Sequence, residues 1–227
     1  MDDLIAYAWC VRLRVFHPLI LISLALEAAI VAILLVDRAF AMWVKERVAE
    51  LPPSAHLAIE YITEAGDSKW WLIPSAALFV VLAVLKSHNL ARWCFAMFAS
   101  VGASGLLVLI IKPLIGRYRP KLLHEQDQYG FEYLQFAVGY DTNSFPSGHA
   151  TTIAAACTVL WCMLPRWRVV WVALWFCVIS SRVLLSAHFV GDVFAGTALG
   201  IGTAALVLCV WSRRFPLSMP NAITQSA

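Results

Sequence analysis

Residues 93–112 read WCFAMFASVGASGLLVLIIK, and residues 113–120 continue PLIGRYRP. Within the first stretch the only charge is Lys112, at its end. About 20 residues at ~1.5 Å rise per residue cover the roughly 30 Å hydrocarbon core of a bilayer. The stretch therefore predicts a membrane-spanning helix that delivers Lys112 to one face, with Arg117 and Arg119 following at once. Working outward, similar apolar runs occupy residues 17–36, 70–86, 147–164, 168–186 and 189–211. Each is continuous rather than alternating, which favours helices over a barrel. Trp70, Trp71, Trp93, Trp161, Trp167 and Trp211 lie near the ends of these runs, as an interfacial aromatic belt does.

The expected fold is all-α, a bundle of six transmembrane helices in one domain over residues 1–227. Composition agrees: of 227 residues 61% are hydrophobic and 14% charged, against about a quarter charged in soluble domains. The net charge of +3 is mild and its basic residues are dispersed, which argues against a nucleic-acid partner. Cys10, Cys94, Cys157, Cys162, Cys177 and Cys209 lie in or beside apolar segments without metal-ligand spacing. They read as small core residues, not as a zinc site or a disulfide framework. No short apolar core followed by a small-residue cleavage site opens the chain, so no removable signal peptide is expected. Glu27 lies midway in the first run, where a carboxylate is either functional or held by a neighbouring helix.

Two connections are long. In residues 37–69, Pro52-Pro53-Ser54 is a helix-start signal. Ala58, Tyr61, Ile62 and Ala65 follow at helical spacing, which predicts a short helix lying in the interface or packing on the bundle. Residues 113–146 are polar and broken by Gly130, Gly139, Asn143 and Pro146. Gly196 and Gly200 form a small-residue contact motif in the last run; it serves packing within the chain or, alternatively, a homodimer.

Cation pairs in the short connections set the orientation. Arg12 with Arg14, Lys86 with Arg92, Arg166 with Arg168, and Arg213 with Arg214 fall on one side, together with both termini. The expected arrangement has the termini in the cytoplasm. Lys112, the start of the fourth run at Ser147, the end of the fifth at Arg182 and the start of the sixth at His188 then converge on the opposite face.

That convergence is chemical. Arg is the bidentate partner of phosphate oxygens and Lys a point charge, so Lys112, Arg119 and Arg182 are candidate phosphate ligands. Arg117 is an auxiliary candidate that could instead snorkel to lipid headgroups. Ser147-Gly148-His149 opens a helix after Pro146, and a helix N-terminus offers unpaired N–H groups to an anion. Ser147 can cap that helix and bind as well. His188 and Asp192 are four apart; on a helix they share one face. A carboxylate that fixes one imidazole nitrogen leaves the other as a nucleophile. His149 is then the candidate acid for the leaving oxygen.

Lys-x6-Arg-Pro, Pro-Ser-Gly-His and Ser-Arg-x5-His-x3-Asp together resemble the three-part signature of the type 2 phosphatidic acid phosphatase superfamily. The motifs span residues 112–192, and the helix layout extends the likeness to most of the chain. The resemblance implies that His188 attacks phosphorus to form a phosphohistidine, that Asp192 orients it, and that His149 protonates the leaving group and then activates water. Lys112, Arg119, Ser147, Gly148 and Arg182 would bind the phosphoryl oxygens. It implies no metal and no cofactor, and the sequence offers no carboxylate cluster for one.

The expected activity is hydrolysis of an anionic lipid phosphate or diphosphate at the periplasmic face of a bacterial inner membrane. Candidate substrates are lipid A phosphate, undecaprenyl diphosphate, phosphatidylglycerophosphate and phosphatidic acid, with the first two favoured by the outward site. Two alternatives stand beside it. One is phosphotransfer to a lipid or sugar hydroxyl through the same intermediate. The other is a non-catalytic lipid-binding or transport protein, which would have no use for a nucleophile.

Overall fold

Buried positions along the first helix, α1 (Pro18–Ala49), fall at Ala25, Ala29, Ala32, Asp37, Ala41 and Val44. The steps are four, three, five, four and three. Steps of three and four keep residues on one face of a 3.6-residue helix. The five-residue step coincides with a π-turn at Ala32–Val36, closed by the Asp37 N–H donating to the Ala32 carbonyl. Without that turn the stripe would slip past Asp37; with it, a carboxylate is carried inward in place of an apolar side chain.

The computed structural model describes residues 18–134, 139–215 and 217. Arg12, Arg14, Cys10 and both termini lie outside the described residues. After α1 come α2 (Pro53–Glu64), α3 (Lys69–Val84), α4 (His88–Ile115), α5 (Pro120–Gln126), α6 (Gly148–Met163), α7 (Arg168–Leu184) and α8 (Val190–Arg214). Among the described residues five helical stretches are long and apolar enough to cross a membrane: Pro18–Ala49, Pro53–Val84, His88–Ile115, Pro165–Leu184 and Val190–Arg214. The regular structure of the described residues is all helical, and the chain is a membrane protein.

The boundaries differ from the sequence reading in two informative places. Residues 37–69 are not a loop, because α1 runs on to Ala49 and α2 follows directly. The charge at Asp37 reads as a helix exit; in the fold it is buried against a cation and the helix continues. α2 occupies the place expected for an interfacial helix, packs on α7, and joins α3 through a turn at residues 65–68. Second, the run at 147–164 forms a helix of 16 residues, only about 24 Å long at ~1.5 Å per residue. It can be short because protein surrounds it. α6 packs on α4, α7 and α8, and Ala150, Ile153, Ala154, Ala155, Ala156 and Val159 are almost fully buried. Glu27 sits on the exposed side of α1.

α6 and α8 make the tightest pairing. A Cβ on Gly196 would come within 2.5 Å of the Ser147 carbonyl oxygen, and one on Gly200 within 2.9 Å of the Ala154 Cβ. The two glycines are thus spent inside the chain. The long connection after α4 is pinned by Gly116 in the left-handed region (φ 53°), which ends α4. It folds back so that Glu132 N–H donates to Gly116 O (2.7 Å) and Ser144 N–H to Arg117 O (2.9 Å).

Replacing Gly200 by Leu forces α8 off the α6 backbone. Overpacking of this kind costs about 1–3 kcal/mol. Thermal unfolding of the detergent-purified protein should show a lower Tm for Gly200→Leu, with no comparable change for a Leu at Gly202, whose nearest neighbour would stand 3.5 Å away.

Candidate active site

The polar clusters that the sequence separates meet at one end of the bundle. α4 brings Lys112 in its last turn, α7 brings Arg182 in its last turn, and the turn after α7 brings His188. Arg119 stands at the N-cap of α5, while Ser147 caps α6, its hydroxyl accepting from Ala150 N–H at 3.4 Å. Ser147 N–H donates in turn to the Asp192 carbonyl (3.0 Å), which ties the start of α6 to the start of α8.

His188 is 3% exposed. Burial pushes its imidazole down to about 3, against an opposing pull from Asp192, so the ring is neutral with a lone pair available at ordinary pH. It does not lie on α8. The helix begins at Val190, Phe189 is its N-cap, and the Asp192 carboxylate accepts from Phe189 N–H through Oδ2 (2.9 Å). Asp192 is therefore a capping residue, and the four-residue spacing reflects a cap rather than a shared helix face. Its Oδ2 stands 3.7 Å from His188 Nδ1, beyond hydrogen-bond range. Ser144 occupies the space between them, donating to Asp192 Oδ2 at 2.6 Å with its oxygen 3.4 Å from His188 Nδ1. Sequence reasoning missed Ser144, which stands two residues before the Pro-Ser-Gly-His motif and is fully buried.

Lys112 and Arg119 lie close enough to act electrostatically on His188, and Arg119 and Arg182 on His149. Lys112 Nζ donates to Asn143 O (2.6 Å). Arg119 donates from Nε to Tyr140 O and from NH1 to Ala187 O, each at 2.8 Å, and stacks on the Tyr140 ring at 3.8 Å. Arg182 donates to Thr63 Oγ1 (2.9 Å), while its Nε is buried with no hydrogen-bond partner among the described residues. The direct hydrogen-bond partners of these cations are neutral carbonyl and hydroxyl oxygens, which leaves positive charge available to an anion.

Arg117 is placed differently. Its side chain is fully buried and donates to Asp192 Oδ1 (2.6 Å) and Asp37 Oδ2 (2.8 Å). The expectation of snorkelling to headgroups is thereby corrected, and both of its terminal nitrogens are spent on carboxylates instead of an incoming phosphate. In sequence, Asp37 reads as the first residue of an outer loop. His149 is walled by the turn after α2, where a Cβ on Gly66 would meet its Cβ and Cδ2 at 2.9 Å. Among the described residues, no group of three or more His, Cys, Asp or Glu side chains is placed to hold a metal ion.

Residues 93–216 match the model of the PAP2 superfamily. The lipid A 1-phosphatase of Rhizobium johnstonii is 35% identical over 173 residues, covering 71% of this chain and 69% of that protein. The decaprenylphosphoryl-5-phosphoribose phosphatase of Mycobacterium tuberculosis is 34% identical over 140 residues, 57% of this chain and 69% of that one. The crystal structure of a transmembrane PAP2-type phosphatidylglycerolphosphate phosphatase from Bacillus subtilis superposes with a TM-score of 0.61 at 25% identity, covering 86% of this chain and 96% of that one.

Ser144→Ala removes the hydroxyl that links carboxylate and imidazole while leaving both in place. Phosphate release from a lipid phosphate should fall about tenfold in kcat, the scale of losing an orienting hydrogen bond of ~1.4 kcal/mol in the transition state. KM should be nearly unchanged. Steady-state kinetics of the two proteins in one detergent check this.

Proposed function

The chain belongs to the PAP2 superfamily and is a lipid phosphatase; we propose that it hydrolyses an anionic lipid phosphate through a phosphohistidine on His188, without a metal, at the periplasmic face of a bacterial inner membrane. The single observation that carries the mechanism is a buried, neutral imidazole held on its Nδ1 side by Ser144 and Asp192, close to cations that are hydrogen-bonded to neutral oxygens and form no direct ion pair among the described residues.

Lys112, Arg119 and Arg182 draw the phosphate in, with the Gly148 N–H and the Ser147 hydroxyl at the positive end of the α6 dipole. His188 attacks phosphorus through Nε2 as the bond to the lipid oxygen breaks. His149 gives that oxygen a proton that it takes up as the anionic phosphate binds beside it. Asp192, through Ser144, stabilises the positive charge that the ring acquires. Water then attacks the phosphohistidine, His149 takes the water's proton, and inorganic phosphate leaves with His188 restored. Fixed cations aimed at the developing charge supply most of the rate gain in such transfers.

For substrate we favour a lipid A phosphate. The Rhizobium johnstonii relative, a lipid A 1-phosphatase at 35% identity, supports that choice, with undecaprenyl diphosphate next. For topology we infer six spans, with α6 as the short central one and both termini in the cytoplasm. Lys86 and Arg92, and Arg166 and Arg168, on the short connections opposite the site support it.

A phosphate-release panel with purified protein in detergent and excess chelator, over lipid A, undecaprenyl diphosphate, phosphatidylglycerophosphate and phosphatidic acid, tests the function. Release in chelator, sensitive to vanadate and abolished by His188→Ala, is the expected result. Full activity of His188→Ala would rule out the mechanism.

Sidedness is tested separately. In a protein freed of native cysteines, a cysteine at Gln126, which is exposed, should react with an impermeant reagent added from the periplasm. One at Ser87 should not. The reverse pattern would put the site in the cytoplasm.

A further inference from the structure

Asp37 sits on the first membrane helix, 155 residues before Asp192 in sequence (192 minus 37), yet the two carboxylates share one guanidinium. Arg117 reaches Asp192 Oδ1 through NH1 and Asp37 Oδ2 through NH2, and all three side chains have no exposed surface. The other oxygen of Asp37 accepts from the Gly191 N–H at 2.9 Å. Asp37 therefore holds Asp192 from two directions, by the cation on its carboxylate and by the backbone of the residue before it.

Two independent features of the chain adapt to this arrangement. The π-turn at Ala32–Val36 immediately precedes Asp37 and lets it face inward, and π-turns within α-helices occur frequently at functional sites. Position 191 is glycine where a Cβ would stand 2.5 Å from Ile33 Cγ1 and 2.8 Å from Asp37 Oδ2. A side chain there would drive α1 off the start of α8.

We propose that Asp37 is a positioning residue for phosphoryl transfer: by sharing Arg117 with Asp192 it fixes the rotamer of Asp192 and keeps that carboxylate from being fully neutralised, so that Asp192 can orient and stabilise His188. This rests on the phosphatase reading given above. Two carboxylates and one guanidinium leave the trio at net −1. Asp192 thereby remains able to support a positive ring when His188 carries the phosphoryl group. If Asp37 loses its charge, Arg117 pairs with Asp192 alone and the trio becomes neutral. The support given to the ring weakens, while Lys112, Arg119 and Arg182, which hold the phosphate, are untouched. The loss belongs in kcat and not in KM.

The test is a mutant cycle in purified full-length protein, with the lipid that the wild type hydrolyses fastest in the panel. Asp37→Asn keeps shape and removes charge. It should lower kcat about 10- to 100-fold, the usual scale for an outer partner of a reacting group, with KM within about twofold. In an Asp192→Asn background the same change should add no more than about a twofold loss, because residues acting through one another are not additive. A purely architectural role would multiply the two losses, and that result overturns the proposal, as does an unchanged kcat or a loss carried by KM. Should Asp37→Asn not be recovered as folded, monodisperse protein, Tyr129→Phe takes its place. The Tyr129 hydroxyl accepts from Arg117 NH2 (3.2 Å) and donates to Ile33 O (3.1 Å). Its removal should lower kcat about two- to fivefold, on the scale of the net contribution of one hydrogen bond, and an unchanged kcat there is equally fatal. A wild type inactive on every lipid, or a fully active His188→Ala, overturns the phosphatase reading and this proposal together. An active wild type with an unaltered Asp37→Asn overturns this proposal alone.

Discussion

A guanidinium with no exposed surface, flanked by two carboxylates with none, is the constraint around which the catalytic end of the molecule is arranged. Arg117 is enclosed by the rings of Phe189, Phe131 and Tyr129, whose centroids lie 4.5, 4.9 and 5.6 Å from its central carbon. Taking three charges out of water is costly, and removing one partner of a buried pair typically costs about 3–5 kcal/mol because the other is left uncompensated. The trio is thus intolerant of partial assembly. Its members come from α1, from the connection after α4 and from α8, so those elements reach their native register together.

The cations beside the trio are held in another way. Lys112 and Arg119 donate to the carbonyls of Asn143, Tyr140 and Ala187, and Arg182 to the Thr63 hydroxyl. Neutral oxygens fix the geometry of a cation but leave its charge in force. The site therefore divides its positive residues by partner. The one facing carboxylates builds the frame, and those facing carbonyls remain electrostatically open to a phosphate. Fixed donors need no rearrangement as charge develops, which is where such sites gain their rate.

Much of this was legible in the sequence. Continuous apolar runs mark the helices, and the residues of the three motifs are the ones that the fold gathers. What escaped has physical reasons. Asp37 reads as the end of a span because an isolated charge does not continue into a membrane; its partner lies 80 residues away and no local pattern announces it. Ser144 is a small polar residue in an irregular stretch, where serines are common. His188 and Asp192 have helical spacing, yet the pair straddles a helix start, since i,i+4 spacing and an N-cap geometry look alike on paper. Arg117 and Arg119, two residues apart and chemically identical, are held differently because one points at the Asp37 and Asp192 carboxylates and the other at the Tyr140 and Ala187 carbonyls, and the difference is set by which segment lies behind each.

The short central helix has one more consequence, for how such a chain can change over time. Nearly every side chain of α6 from Ala150 to Cys157 is buried, and most are alanine or threonine. Packing of this kind leaves little room for larger side chains, so substitutions there are narrowly limited. On the stretch from Pro53 to Val84 only 6% of the spanning window is buried, and there one large apolar residue serves lipid as well as another. Sequence drift will therefore be very uneven. The outer coat can be rewritten to suit a different membrane while the centre stays fixed, and two chains of this kind can share the reaction long after their lipid-facing surfaces have lost any likeness.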